Sequence, residues 1–127
     1  AQKVPATDSR LDEIARKAIG LMEHEKLYQE TELTLQELSE KLQFPAHQVS
    51  QAINEVMQKS FYDLVNSYRV EEAKRLLADP KNLNYTILSV GFEAGFNSKT
   101  TFNTVFKKFT GHTPTEFREK QSVMSPA

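Results

Sequence analysis

The chain has 127 residues and a mass of 14.5 kDa, enough for one domain or for two very small units sharing a core. It is 39% hydrophobic and 26% charged, the balance of a globular protein, and no apolar run approaches the roughly 18 residues of a membrane span. The absence of cysteine excludes disulfides and thiolate metal sites, and four glycines with five prolines leave few turns for an all-β fold.

The net charge of −1 hides an asymmetry. Residues 1–58 carry six Lys/Arg against ten Asp/Glu, whereas residues 59–127 carry ten against seven. Between Gly95 and Thr115 stand three lysines (Lys99, Lys107, Lys108) and no acid, a local basic stretch of the kind that can face an anion. The polar opening residues lack a secretory leader pattern, and the first residue is not Met, as expected of a piece of a longer protein.

Residues 1–8 show no periodicity and read as a tail. Leu11, Ile14, Ala15, Ala18, Leu21 and Met22 then recur at helical spacing to about Lys26, with Asp8 or Ser9 able to cap the start. After a connection over Leu27 to Leu33, Thr34 and Glu37 form a capping-box pattern ahead of Leu35, Leu38 and Leu42. Gln43-Phe44-Pro45 ends that short helix, and Pro45 suits the first turn of the next, whose inward stripe is Val49, Ile53, Val56 and Met57. Short helix, tight turn and second short helix make a helix-turn-helix.

The longest helix follows from Phe61 to Ala78, where Asp79-Pro80 stops it; at about 1.5 Å per residue it is a rod of roughly 27 Å. Lys81 to Tyr85 reads as a polar loop. The earlier pattern then repeats: Thr86 leads a helix with Ile87, Val90 and Ala94, Gly95 turns the chain, and Ser98 caps a helix that ends at Gly111. The phenylalanines at 92, 96, 102, 106, 109 and 117 are expected in the core. Thr113-Pro114 opens a last helix to about Gln121, with a tail over 122–127.

The expected fold is therefore all-α. Seven helices form two helix-turn-helix units, over 9–60 and 81–121, joined by a linker helix over 61–80. Such units turn their second helix outward, where it can enter a DNA major groove and offer side chains to base edges. The outward set is Ala46, His47, Gln48, Ser50 and Gln51 in the first unit, and Lys99, Thr100, Asn103 and Thr104 in the second, all without an acid. Ser98, Lys107 and Lys108 are placed to meet phosphate. A rod of roughly 27 Å plus the bodies of two units permits readers about 34 Å apart, one DNA turn.

The competing reading is a helical protein–protein interaction module whose outer faces meet another protein rather than DNA. It calls for acids or large apolar residues on the outer helices. Enzymatic chemistry is not expected, since His24, His47 and His112 fall on separate elements with no convergent polar set. No His-x-x-x-His or acid pair accompanies those histidines, so no metal site is expected, and Gly91 and Gly95 do not make a phosphate loop, so no cofactor is expected.

The stretch from Ile87 to Arg118 resembles the signature of the AraC/XylS family of bacterial transcription regulators. The resemblance rests on the Gly95-Phe96 turn, Phe102, Phe106-Lys107, Gly111, Thr113-Pro114 and Phe117-Arg118. Ser60-Phe61 with Asn66 to Leu77 looks like that family's linker helix, and the likeness spans roughly residues 10–120. It implies a seven-helix DNA-binding domain with homeodomain-like units that acts on double-stranded promoter DNA. The same positions then fall on the reading helices, and RNA polymerase is left open as a further partner. An upstream sensor or dimerisation region of the same protein is expected to be missing from this chain. The expected location is the cytoplasm, and the wording at 33–38 and 65–70 resembles regulators anchored through a membrane-embedded upstream part. Three departures stand out: Gln58 where the family usually has Gly, Gly91 where it usually has Ala, and Pro45-Ala46-His47 opening a reading helix.

Overall fold

The computed structural model describes residues 6–124. Among them the chain is all-α: seven α-helices and two single 3-10 turns, grouped in two compact units. No helix of the described residues is long and apolar enough to cross a membrane.

Of the described residues, the first unit comprises those up to Leu27 together with Glu32–Val65. Helix α1 (Ala6–Glu23) buries Leu11, Ile14, Ala15, Ala18 and Met22 at the expected spacing. It starts three residues earlier than the periodicity indicates and ends short of Lys26, which takes a left-handed φ of 53° in the turn that follows. Polar residues extend a helix without marking it, so its ends are the least legible part. Residues 1–5 of the expected tail lie outside the described residues.

Helix α2 (Leu35–Leu42) is opened by the full capping box. Glu37 N–H donates to Thr34 Oγ1 at 3.1 Å, and Thr34 N–H donates to Glu37 Oε1 at 3.0 Å. Gln43 closes it at φ 64°, its N–H donating to the Ser39 and Glu40 carbonyls, and this turns the chain into α3 (Ala46–Val56). Pro45 stands at the N-cap of α3 rather than inside its first turn. Val49, Ala52 and Ile53 bury the inner face of α3 against α1 and α2. Val56, expected in that stripe, is 41% exposed, because the helix turns its last residue clear of the three-helix core. Gln58 adopts φ 57°. The position therefore has the left-handed backbone that a glycine would take freely, at a cost to Gln of about 1–2 kcal/mol.

Helix α4 (Phe61–Ala78) is the linker helix at its expected bounds, with Ser60 Oγ accepting from Asp63 N–H at 3.0 Å. Its first five residues belong to the first unit and the rest to the second.

Of the described residues, the second unit comprises Tyr28–Thr31 together with those from Asn66 onward. Asp79 caps the 3-10 turn Pro80–Asn82, which gives the expected polar loop a structure of its own. Helices α5 (Ile87–Ala94), α6 (Lys99–Thr110) and α7 (Pro114–Met124) follow, α7 running three residues beyond Gln121 while 125–127 lie outside the described residues. The core gathers Val70, Ala73, Leu76 and Leu77 of α4 with Val90, Ala94, Phe96, Phe102, Val105 and Phe106. So a short helix pair does bury its stripe against the rod. Phe96, Phe102 and Phe106 interlock, with ring centroids 5.0 and 5.6 Å apart, and the half-buried Phe117 packs edge-on against Phe106. Phe92 and Phe109, expected with them, are 48% and 38% exposed. The core takes one stripe of each helix, and these two rings fall outside it.

Gly91 answers one of the departures. A Cβ built there would lie 2.6 Å from Cδ2 of Phe102, so the missing side chain lets α5 and α6 approach. Gly91→Ala is therefore expected to lower stability, although alanine gains about 1 kcal/mol of helix propensity over glycine. The measurement is a denaturant midpoint; a midpoint above wild type would mean that Phe102 gives way without loss.

Candidate nucleic-acid interface

Local chemistry fixes where α6 begins and ends. Ser98 Oγ accepts from Thr101 N–H at 3.1 Å and donates to Thr101 Oγ1 at 3.0 Å. That hydroxyl is engaged in the cap, so a phosphate approaching the start of α6 would meet the orphan backbone N–H groups instead. At the other end Gly111, at φ 86°, donates its N–H to the Lys107 carbonyl at 2.7 Å.

Between these caps the inward stripe Phe102, Val105 and Phe106 leaves Lys99, Thr100 and Thr104 exposed and Asn103 half-buried. Lys107 and Lys108 are also exposed, in the last turn, where the helix dipole favours cations. The first acid after this stretch is Glu116, in a second capping box with Thr113 (2.9 and 3.1 Å). Its carboxyl is held below the usual range, first by the Thr113 backbone N–H and more weakly by Lys107 and His112. The outer face of α6 thus presents short polar groups flanked by lysines.

The face of α3 is built differently. His47 and Gln51 are exposed, while Ala46, Gln48 and Ser50 are half-buried. Gln51 Nε2 donates to Glu55 Oε2 at 3.1 Å, one helical turn on. Glu55 puts an acid on this outer helix, and α3 carries no lysine or arginine. Gln48 Oε1 is buried with no hydrogen-bond partner among the described residues. A buried acceptor left unpaired costs about 1–3 kcal/mol, which a rotation toward a donor outside the protein would recover.

Sequence reasoning passed over three features. Glu55 was readable as the i+4 neighbour of Gln51. Phe109 breaks the purely polar outline of α6, and only the packed core shows it. Arg118 donates to the Tyr85 carbonyl at 2.6 Å, pinning α7 to the loop before α5, and its separation of 33 residues leaves no local signal.

Comparisons with known proteins agree on one family. Residues 38–120 match a model described as a helix-turn-helix domain. An HTH-type transcriptional regulator of Staphylococcus aureus (strain COL) is 31% identical over 93 residues, 73% of this chain; the chain spans 12% of that relative's length. The C-terminal domain of AraT, a response regulator from Geobacillus stearothermophilus, superposes with a TM-score of 0.77 at 28% identity, covering 87% of this chain and 88% of that one. The DNA-binding domain of the global transcriptional factor AdpA, solved in complex with a target DNA, shares the fold. Its TM-score is 0.74 at 19% identity, over 91% of this chain and 96% of that one.

Proposed function

This chain belongs to the AraC-type helix-turn-helix family, a family of DNA-binding transcription regulators and not of enzymes, and from that premise we propose that it reads promoter DNA in a sequence-specific way. The observation that carries the proposal is the face of α6: exposed, free of acid from its cap to Thr115, and furnished with groups that suit base edges and phosphate. In this reading Lys99, Thr100, Asn103 and Thr104 meet bases in one major groove, while Lys107, Lys108 and the cap at Ser98 meet phosphate. Ala46, His47, Gln48, Ser50 and Gln51 of α3 take a neighbouring groove, with Gln51 leaving Glu55 and Gln48 turning outward. The second unit contributes most of the electrostatic grip, because α3 offers phosphate no cation.

The remaining parts of the reading concern the longer protein. The relative matched above is roughly six times the length of this chain. We propose that an upstream region supplies dimerisation and signal sensing, that the domain works in the cytoplasm with or without an upstream membrane anchor, and that RNA polymerase is approached at the promoter.

The interaction-module reading keeps one observation. Leu83, Tyr85, Leu88 and Phe92 are exposed apolar side chains on α5 and the loop before it. They lie outside the two proposed reading faces, and a protein contact there would accompany DNA binding rather than replace it.

Selection of duplexes from a random library by the purified chain tests the proposal. Two short boxes about ten base pairs apart are expected, one for each unit. One box would confine sequence reading to α6. No enrichment at low salt, where phosphate contacts are strongest, would bring the interaction module forward.

A further inference from the structure

We propose that Glu55 is a specificity-determining residue of α3, and that its carboxylate accepts a hydrogen bond from the exocyclic amino group of a cytosine. The inference deepens the reading of α3 given above and rests on it. An acid on a helix that enters the field of a polyanion is repelled unless a donor meets it. Glu55 is such an acid: it is exposed, and α3 holds no other Asp or Glu and no Lys or Arg. Among the described residues its carboxylate has a single partner, the Gln51 amide, whose Nε2 donates to Oε2 at 3.1 Å.

Its place on the helix puts it among the readers. At about 100° per residue, Glu55 lies within roughly 40° of Gln51 and 20° of Gln48 around the helix axis. It stands four residues beyond Gln51, about 6 Å along that axis, and base pairs are stacked roughly 3.4 Å apart. A helix lying along the groove therefore carries Glu55 one or two base pairs past the one that Gln51 meets. When Gln51 turns to a base, the carboxylate loses its donor and finds no cation on α3 to replace it.

The chemistry of the groove decides what the new donor is. Adenine N6 and cytosine N4 are the amino groups on the major-groove edge, whereas guanine shows the acceptors N7 and O6 and thymine shows O4 with its methyl group. A glutamine amide, with one acceptor and one donor side, matches adenine N6 and N7 together. A carboxylate has acceptors only, so it matches cytosine N4 and is turned away from guanine and thymine. Specificity at this position thus comes from repulsion as well as attraction. Gln48, whose Oε1 is buried without a partner among the described residues, is a second amide on the same side of the helix. Lacking Arg and Lys, α3 has no group of the kind that reads guanine, while α6 has Lys99. The box read by α3 should therefore be rich in adenine and cytosine on the strand it faces.

The test is selection from a random duplex library by the whole chain and by its variants Gln51→Ala, Glu55→Ala and Glu55→Gln. Affinities are then measured for duplexes carrying each of the four base pairs at the position that the Glu55 variants change. The box that changes in Gln51→Ala belongs to α3. One or two base pairs from the Gln51 position, wild type should prefer cytosine by roughly tenfold or more over guanine and thymine. In Glu55→Ala the four base pairs should fall within about threefold of one another, and affinity for unrelated DNA should not drop, since the group removed is an acid. Glu55→Gln should move the preference to adenine, a change that a merely structural role would not produce. Glu55 is exposed, so both of its variants should keep the wild-type melting temperature. A cytosine preference retained in Glu55→Ala would overturn the proposal, and so would guanine or thymine at the position that this variant relaxes. If no box responds to Gln51→Ala, the reading of α3 itself fails and takes the proposal with it, an outcome seen without any Glu55 variant.

Discussion

Replacing Lys99 and Asn103 together by alanine should abolish discrimination between the selected box and unrelated DNA while leaving the protein folded. Each good base contact contributes about 1–3 kcal/mol of discrimination, so losing two lowers specific affinity on the order of a hundredfold or more. Non-specific affinity should change little, because Lys107 and Lys108 remain. The complementary pair Lys107→Ala and Lys108→Ala should weaken binding to every sequence alike and reduce the salt slope by roughly two. Stability offers an independent check. Lys99 is exposed and stands in the first turn of α6, where the helix dipole disfavours a cation by about 0.3–1 kcal/mol. Its removal should leave the melting temperature unchanged or raise it, so lost binding could not be blamed on lost fold. Specific binding that survives the double substitution would take these residues out of the reading face.

The parts of this molecule that sequence made legible are those whose cause is local. Thr34 and Glu37 satisfy each other three residues apart, Ser98 caps Thr101, and Gly95 and Gly111 close their helices at positive φ. Each of these is written within a turn of helix, so the seven helices and the outward sides of α3 and α6 followed from spacing. What spacing could not rank was which apolar residues a small core has room for. Val56, Phe92 and Phe109 share helical periodicity with buried neighbours yet stay out, since a unit of three or four short helices covers only one stripe of each. Nor could it show that Tyr28–Thr31 packs with residues beyond Asn66. Arg69 reaches the Tyr28 and Glu30 carbonyls there through hydrogen bonds spanning 41 and 39 residues, which leave no pattern in the chain. The candidate site was legible for the opposite reason: outward positions on a helix follow from the inward ones, and the acid-free run around α6 is a property of the sequence itself.

Gly95→Ala should be among the most destabilising single substitutions in the protein, and the contrast with Gly111→Ala isolates why. Both glycines cap a helix with positive φ, 112° and 86°, so each alanine carries the backbone penalty of about 1–2 kcal/mol. At Gly111 nothing else stands within 4 Å of the new methyl group. At Gly95 the methyl would run into the Tyr28 carbonyl oxygen and lie 2.9 Å from Arg69 Nε and 3.1 Å from Gln29 Cα. Two of these neighbours are backbone atoms, and the Tyr28 carbonyl accepts from Arg69 Nε at 2.8 Å, so relief requires the stretch Tyr28–Thr31 to move. A total of at least about 3 kcal/mol is expected for Gly95→Ala, matching other changes that force backbone shifts in packed interiors. For a chain of this size each kcal/mol moves the melting temperature by roughly 3–5 °C, which separates the two variants in a thermal scan. A double-mutant cycle with Arg69→Ala then tests the part of the Arg69–Tyr28 hydrogen bond. Gly95→Ala should cost less in an Arg69→Ala background than in wild type, because the guanidinium beside the methyl group and its hold on the Tyr28 carbonyl are both gone. Equal costs in both backgrounds would mean that Arg69 takes no part in the strain at Gly95.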